Sequence, residues 1–323
     1  MQELKIGSHT ISNPVLLAPM SGVSDLPFRN VVKSFGAGVC VSEMVASNHL
    51  IRETKESLKK IQPANGEDIN MVQIIGSEIN EMADTARWLV DNNVDIIDIN
   101  FGCPAKKVTG KYCGSALMQY PATALKIMRF VKKAVDVPVT VKMRMGWDNE
   151  NLNAVEIAKM AEGEGISMIT VHARTRQQQY TGVADWDFIK SVKQSVKIPV
   201  IVNGDIVGEQ SAIDALNKSG ADGVMIGRAS RGQPWLLNQI SSYLLSGIKI
   251  DKPDINKQYD TVINHYNQMI EHYGDYKGML MGRKHLSWYL KQSNACISFR
   301  DKIMSTSCKD EVKDIIRSFY MLR

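Results

Sequence analysis

Eight short apolar runs recur between Val15 and Arg228: Val15–Met20, Val39–Met44, Met71–Gly76, Ile96–Gly102, Val139–Gly146, Met168–Arg174, Val200–Asp205 and Gly223–Arg228. Most are nearly uninterrupted, the pattern of parallel strands buried on both faces. Between them lie segments of helical period. Ile79, Met82, Ala83, Ala86, Leu89 and Val90 mark one, and Ala124, Met128, Val131 and Val135 another. Ser77 is placed to cap the first of these, with Glu78 and Glu81 near the positive end of its dipole.

Eight such units over this length predict an α/β fold, a (β/α)8 TIM barrel. A doubly wound open sheet uses the same units, but no GxGxxG turn follows the first run. Residues 5–12, KIGSHTIS, are expected to form a small hairpin over the barrel's N-terminal mouth. After a polar stretch, Ser246–Asp254, the strand pattern stops. Ile255, Tyr259, Val262, Ile263, Tyr266, Met269, Ile270 and Tyr273 trace a long amphipathic helix, and Val312, Ile315, Ile316 and Phe319 a later one. The expected organisation is a barrel over 1–245 and a C-terminal helical bundle domain over 246–323.

Composition adds little to this picture and excludes several classes. Hydrophobic content is 44% and charged content 23%, ordinary for a globular chain. No apolar run is long enough for a membrane span, and the N-terminal residues lack a secretory layout, so a cytoplasmic protein is expected. Five scattered cysteines, Cys40, Cys103, Cys113, Cys296 and Cys308, fit neither a disulfide framework nor a metal-ligand spacing, so no metal is expected. Residues 243–323 hold 13 Lys and Arg against 9 Asp and Glu, and the remainder 26 against 25. That mild basic bias suits a polyanion, or simply a solvated helical face.

Barrel chemistry gathers at the C-terminal strand ends. Read in order, these ends carry Ala18-Pro19-Met20, Glu43-Met44, Gln73, Asn100 with Cys103, Lys142 with Arg144, His172 with Arg174, Asn203-Gly204-Asp205, and Gly227-Arg228. The last two resemble a phosphate cradle, where glycines admit backbone N–H groups and Arg228 supplies charge. Either glycine turn alone fits a tight βα connection as well as a phosphate site; at both expected positions the phosphate reading is favoured. Lys142, on an apolar strand, needs an anionic partner to offset its desolvation. A reduced flavin is one candidate, and an ion pair with Glu43 is another. Gln73 can offer an amide to a heterocycle, and Met20 can pack under a ring. Cys103 lies just past the fourth strand, before Pro104 and a Lys- and Gly-containing loop, where a thiol can act as nucleophile or acid. The other cysteines read as packing residues.

The segments APMSGVSDLPFR, VSEM, VQIIG, DINFGCPAKKV with GSALM, VKMRMGW, VHARTR, VNGDI and GVMIGRASRGQPW resemble those of the tRNA-dihydrouridine synthases, nearest the bacterial B-type branch. The likeness runs from about residue 5 through RKHLSWYL at 283–290. It implies FMN-dependent reduction of the carbon 5–carbon 6 double bond of uridines in tRNA, with NADPH, or NADH, as reductant. Hydride from flavin N5 reaches carbon 6, and Cys103 gives a proton to carbon 5. An ordinary thiol, with a pKa of about 8.5, carries that proton at neutral pH. The resemblance assigns Pro19, Met20, Ser21, Gln73, Lys142 and His172 to FMN, together with Asn203, Gly204, Asp205, Gly227 and Arg228. It assigns Asn100 and Arg144 to the uracil, and Arg174 and Arg176 suit RNA phosphates. Ser115 departs from the family's usual residue after the loop glycine. The helical tail resembles a tRNA-binding domain, the D-loop region is the expected contact, and a monomer is expected. Two other readings remain on the residues alone: an FMN reductase of a free pyrimidine or small activated alkene, and a non-catalytic RNA-binding protein.

Overall fold

The computed structural model describes residues 3–48, 54–291 and 296–322, with the side chain of Cys296, one of the expected packing cysteines, outside that description. Strands β1 (Leu4–Ile6) and β2 (His9–Ile11) form an antiparallel hairpin. Strands β3 (Val15–Leu17), β4 (Val45–Ala46), β5 (Met71–Ile75), β6 (Ile96–Phe101), β7 (Val139–Arg144), β8 (Met168–His172), β9 (Val200–Asn203) and β10 (Gly223–Ile226) make one eight-stranded parallel sheet, ordered β3-β10-β9-β8-β7-β6-β5-β4.

The second predicted strand is the exception to an otherwise regular rhythm. Val39–Met44 is not a continuous strand, and regular pairing with β5 begins only at Val45. The segment changes neighbours within a few residues. Leu17 N–H donates to Val39 O at 2.9 Å and Val41 N–H to Leu17 O at 3.2 Å, after which Ser42 N–H turns to Met71 O at 3.0 Å. Those bonds join β3 to β5 and close the TIM barrel, at the cost of an unbroken ladder.

Side-chain alternation along the strands sorts the interior. Outward residues such as Val72, Ile97, Ile99, Val141, Val171 and Val202 pack with the helices in the main core. A second cluster unites inward residues at the strand starts, Leu16, Met71, Ile96, Met168, Ile201 and Met225, with Leu4, Ile6 and Ile11 of the hairpin. The hairpin therefore plugs the N-terminal mouth, the place expected of residues 5–12. Ser77 does not cap the helix Ile79–Asp91: Glu78 occupies the cap, and the Ser77 hydroxyl donates to Lys111 O at 3.3 Å.

Beyond Ser246, the described residues hold four helices, Ile255–Tyr273, Asp275–Leu290, Cys296–Ser305 and Lys309–Met321, and no strand. Asp254 caps the first, accepting from Lys257 N–H at 2.8 Å. Val262, Tyr266, Leu286, Tyr289, Ile316 and Phe319 give these helices an apolar cluster of their own. They dock on the helix Leu26–Ser34. Asn30 donates to Gln268 at 2.8 Å, Tyr273 donates to Asp25 at 3.0 Å, and the Phe28 ring lies 5.7 Å from His265 and 5.4 Å from His285.

This junction buries Asp25, His265 and His285, whose ligand-type atoms lie within 4.8 Å of one another. Local spacing could not reveal the group, because its members come from three helices' worth of sequence. No hydrogen bond joins the three: Asp25 accepts from Phe28 N–H and Tyr273, His265 Nδ1 lies 3.0 Å from the Tyr289 hydroxyl, and His265 Nε2 and both ring nitrogens of His285 are buried without a partner among the described residues. Burial holds the His265 ring down to about 3 and His285 well below the ordinary histidine value. It pushes the Asp25 carboxyl up to about 6. A histidine held neutral when folded binds a proton when unfolded, so its contribution is present above the unfolded value and fades as pH falls through that value. Each such ring contributes a slope of about 1.4 kcal/mol per pH unit, which Asp25, protonating in the folded state, partly opposes. Urea unfolding is expected to show stability falling from pH 7 to pH 5, and His285→Phe should flatten that slope by about one proton's worth.

Candidate active site

The polar residues that interrupt the apolar strands occupy inward positions, most of them toward the C-terminal ends. In register, Asn100 pairs with Lys142, Lys142 with Thr170, Arg144 with His172, and His172 with Asn203. Of these, Asn100, Lys142, Arg144, His172 and Asn203 line a cavity of about 430 Å³ together with Pro19, Met20, Cys103, Gly204, Asp205, Gly227 and Arg228. That volume suits a small-molecule site.

One buried relay fixes the backbone at Cys103. Thr140 Oγ1 donates to Asp98 at 2.6 Å, and Gln73 Nε2 donates to the other Asp98 oxygen at 2.6 Å. Asn100 Nδ2 donates to Gln73 Oε1 at 2.7 Å, leaving Asn100 Oδ1 to accept from the N–H groups of Gly102 at 3.0 Å and Cys103 at 2.9 Å. Burial raises the Asp98 pKa against the opposing pull of Thr140, Gln73 and Lys142. From the other side, Ser115 donates to Cys103 O through its N–H at 3.1 Å and its hydroxyl at 2.9 Å, which gives this serine a place in the loop. Gly114, at φ +61°, lies so close that a Cβ there would be 2.9 Å from Cys103 O. Cys103 itself stays half-buried on the cavity wall.

A second network sets the charge and tautomer opposite the thiol. Asn203 Nδ2 donates to Met225 O at 2.8 Å, which orients its Oδ1 toward Lys142 Nζ at 3.1 Å and His172 Nδ1 at 2.9 Å. An amide oxygen only accepts, so His172 carries its hydrogen on Nδ1. Burial, followed by the fields of Arg144 and Lys142, keeps the ring neutral, with its pKa well below the usual value. Nε2 is then a bare acceptor, buried and without a partner among the described residues. Burial and the neighbouring Arg144 draw the Lys142 ammonium down to about 8. It meets Asn203, and the alternative Glu43 pairing does not form; Glu43 instead accepts from Gly22 N–H.

The arginines divide into buried and accessible groups. Arg144 holds the chain by donating to Gly102 O at 2.8 Å and to Thr175 O and Gln179 O at 2.9 Å each. Arg174 is 1% exposed and spends its guanidinium on Thr181 O, Gly182 O and Asp205, the last at 2.5 Å. This corrects the expectation that Arg174 meets RNA phosphates: it is a brace beneath the surface. Arg176 remains partly accessible and stacks 4.4 Å over Trp147. Asp205 accepts from Arg174 and Ala184 N–H and lies 3.3 Å from Arg228. These partners hold its pKa low although burial alone would raise it. Its role is to aim the half-exposed Arg228. Gly204, at φ +123°, is the residue that lets the chain turn here.

A family model described as "Dihydrouridine synthase (Dus)" matches residues 16–320 of this chain. The chain belongs to the dihydrouridine synthase family. It is therefore an enzyme, and an oxidoreductase. A protein of Rickettsia bellii named "Probable tRNA-dihydrouridine synthase" is 49% identical over 98% of this chain and 98% of its own. The "tRNA-dihydrouridine synthase B" of Vibrio parahaemolyticus is 44% identical over 92% of each chain. Among solved structures, an old yellow enzyme homologue from Zymomonas mobilis aligns with a TM-score of 0.56 at 12% identity, covering 79% of this chain and 95% of that one. A 2-naphthoyl-CoA reductase aligns at 0.60 and 13% identity, over 74% and 51%. At such identities the likeness concerns the barrel fold.

Two of the residues assigned to a cofactor in this dihydrouridine synthase lie off the cavity lining. Gln73 is buried in the relay with both amide ends engaged, and Ser21 is exposed on the loop after β3. The sequence reading missed Tyr180. This cavity residue lies 4.6 Å under the Arg228 guanidinium, 5.5 Å from that of Arg144, and edge-on to His172 at 6.2 Å. A lone loop aromatic after three glutamines offers no periodic signal. The relay carries its own test. Asp98→Ala strands the Thr140 hydroxyl and the Gln73 amide and should cost about 3 kcal/mol in denaturant unfolding, while Asp98→Asn should cost less than half of that.

Proposed function

We propose that this protein reduces the carbon 5–carbon 6 double bond of uridines in tRNA to 5,6-dihydrouridine, using FMN as its flavin and NADPH, or NADH, as reductant. The observation that carries the reading is the half-buried Cys103 thiol sharing one cavity with Lys142 and the bare Nε2 of His172, in a chain 44–49% identical to proteins named tRNA-dihydrouridine synthase. When bound, the flavin supplies a hydride to carbon 6 of the uracil.

The chemistry of the lining fits such a group. His172 Nε2 accepts from a ligand N–H, Lys142 faces an electron-rich edge, and Met20 offers a polarisable surface for a ring. Pro19 and Ser21 flank it in sequence, and Gln73 acts from beneath the lining through its bonds to Asp98 and Asn100. Asn203, Gly204, Asp205, Gly227 and Arg228 form the end suited to a phosphate, with Arg228 as the accessible cation. Asn100 and Arg144 hold the loop of Cys103 and border the space left for the uracil. Cys103 holds the proton that carbon 5 takes up, so charge developing on the poorly electrophilic ring is quenched as it forms.

A uracil must leave its stack to enter this cavity, which favours a D-loop nucleotide over a helical one. Arg176 meets the RNA backbone, and the helical segment 246–323 serves as the RNA-binding domain of a monomeric cytoplasmic enzyme. No helix among the described residues is long and apolar enough to cross a membrane.

Cys103→Ala should bind flavin and be bleached by NADPH as the parent is, yet lose 100-fold or more of its turnover with unmodified tRNA. Normal tRNA turnover in that variant would remove Cys103 from the reaction. Free uridine should be reduced far less efficiently than tRNA; equal efficiency would make the protein a small-molecule reductase.

A further inference from the structure

The loop that follows Cys103 carries a surface that the reaction itself does not use. Lys106, Lys107, Lys111 and Tyr112 are all exposed, and no Asp or Glu occurs between Phe101 and Tyr120. Tyr112 is 63% exposed, in a T-shaped contact with Tyr120, itself 44% exposed, at 5.8 Å between centroids. Its φ is +57°, a left-handed backbone that a bulky side chain adopts at a cost. The turn thus presents a large aromatic ring to solvent among three cations. Glu78, at the cap of the helix Ile79–Asp91, is the carboxylate whose field reaches the neighbouring Cys113.

This surface is mechanically tied to the reacting thiol. Two residues after Tyr112, Gly114 packs against Cys103, and Ser115 donates twice to Cys103 O. On its other flank, Arg176 reaches Thr109 Oγ1 at 3.5 Å while stacked on Trp147. Aromatic rings interleaved with cations are the surface that single-stranded nucleic acid binds: bases stack on the rings and phosphates meet the charges. When a base occupies the cavity, its neighbours in the strand must cross the rim on which this loop stands.

We propose that the loop Ala105–Tyr112 is a docking platform for single-stranded RNA, with the Tyr112 ring stacking on a nucleotide flanking the inserted uridine. Lys106, Lys107 and Lys111 hold the adjoining phosphates. The platform rests on the function proposed above and adds to it a site outside the cavity. It also couples RNA docking to the position of Cys103, since both belong to one short, cross-braced loop.

The test uses the full-length flavoprotein and an unmodified tRNA transcript. The parent is compared with Tyr112→Ala, Tyr112→Phe and the double variant Lys106→Gln/Lys107→Gln, and flavin reduction by NADPH checks that each site is assembled. Tyr112→Ala should raise the tRNA concentration for half-maximal turnover by roughly 5- to 100-fold, the range of one lost base stack, and Tyr112→Phe should restore it. The double lysine variant should lower the slope of log affinity against log salt by about 0.7 per lysine. Half-saturation within twofold of the parent in Tyr112→Ala, with an unchanged salt slope in the lysine variant, would overturn the platform. A parent protein inactive on tRNA would instead count against the function itself.

Discussion

The buried hydrogen-bond relay from Thr140 through Asp98, Gln73 and Asn100 to the backbone N–H of Cys103 is the constraint on which the site depends. A polar chain inside a barrel is tolerable only when every member is satisfied, since each stranded group costs about 1–3 kcal/mol. Each residue here uses its neighbour's complementary atom. The relay crosses three adjacent strands, β5, β6 and β7, so it forms only in correct register; a slip of one residue would send every member into the helix layer. Register, barrel closure and thiol position are therefore one condition.

The barrel interior is graded along its axis. At the N-terminal end it is apolar and stoppered by the hairpin, which lets the strand starts exclude water. Toward the C-terminal end the inward positions become polar, and the second network around Asn203 chooses a neutral His172 beside a cationic Lys142. Buried Arg144 and Arg174 act as scaffolding for the loops above, while Arg228 and Arg176 stay accessible. The C-terminal helices join this arrangement through Asp25, at the end of the loop that carries Pro19, Met20 and Ser21. Their packing and the geometry of that wall are thus physically connected.

What the sequence made legible follows from the range of the signals. Apolar runs at regular spacing are local, so the barrel and the helical end could both be read from the chain. So could the polar residues at strand ends, because period-two alternation places Asn100, Lys142, His172 and Asn203 on one face. The segment Val39–Met44 looked like a strand because composition reports burial, whereas its hydrogen bonds are divided between two neighbours. Arg174 and Gln73 were legible as polar residues near the site but not as buried ones, since their partners Asp205 and Asp98 lie 31 and 25 residues away. Tyr180 and the Asp25, His265 and His285 group follow no local period and emerge only from tertiary packing.

The central claim is the chemical fate of a uridine in this cavity. Purified protein, with FMN and NADPH, can be incubated with an unmodified tRNA transcript and the nucleosides identified by mass spectrometry. The account predicts 5,6-dihydrouridine, heavier than uridine by two hydrogens, confined to D-loop positions and formed only with both flavin and reductant present. Oxidation of NADPH with every uridine left unchanged would contradict it.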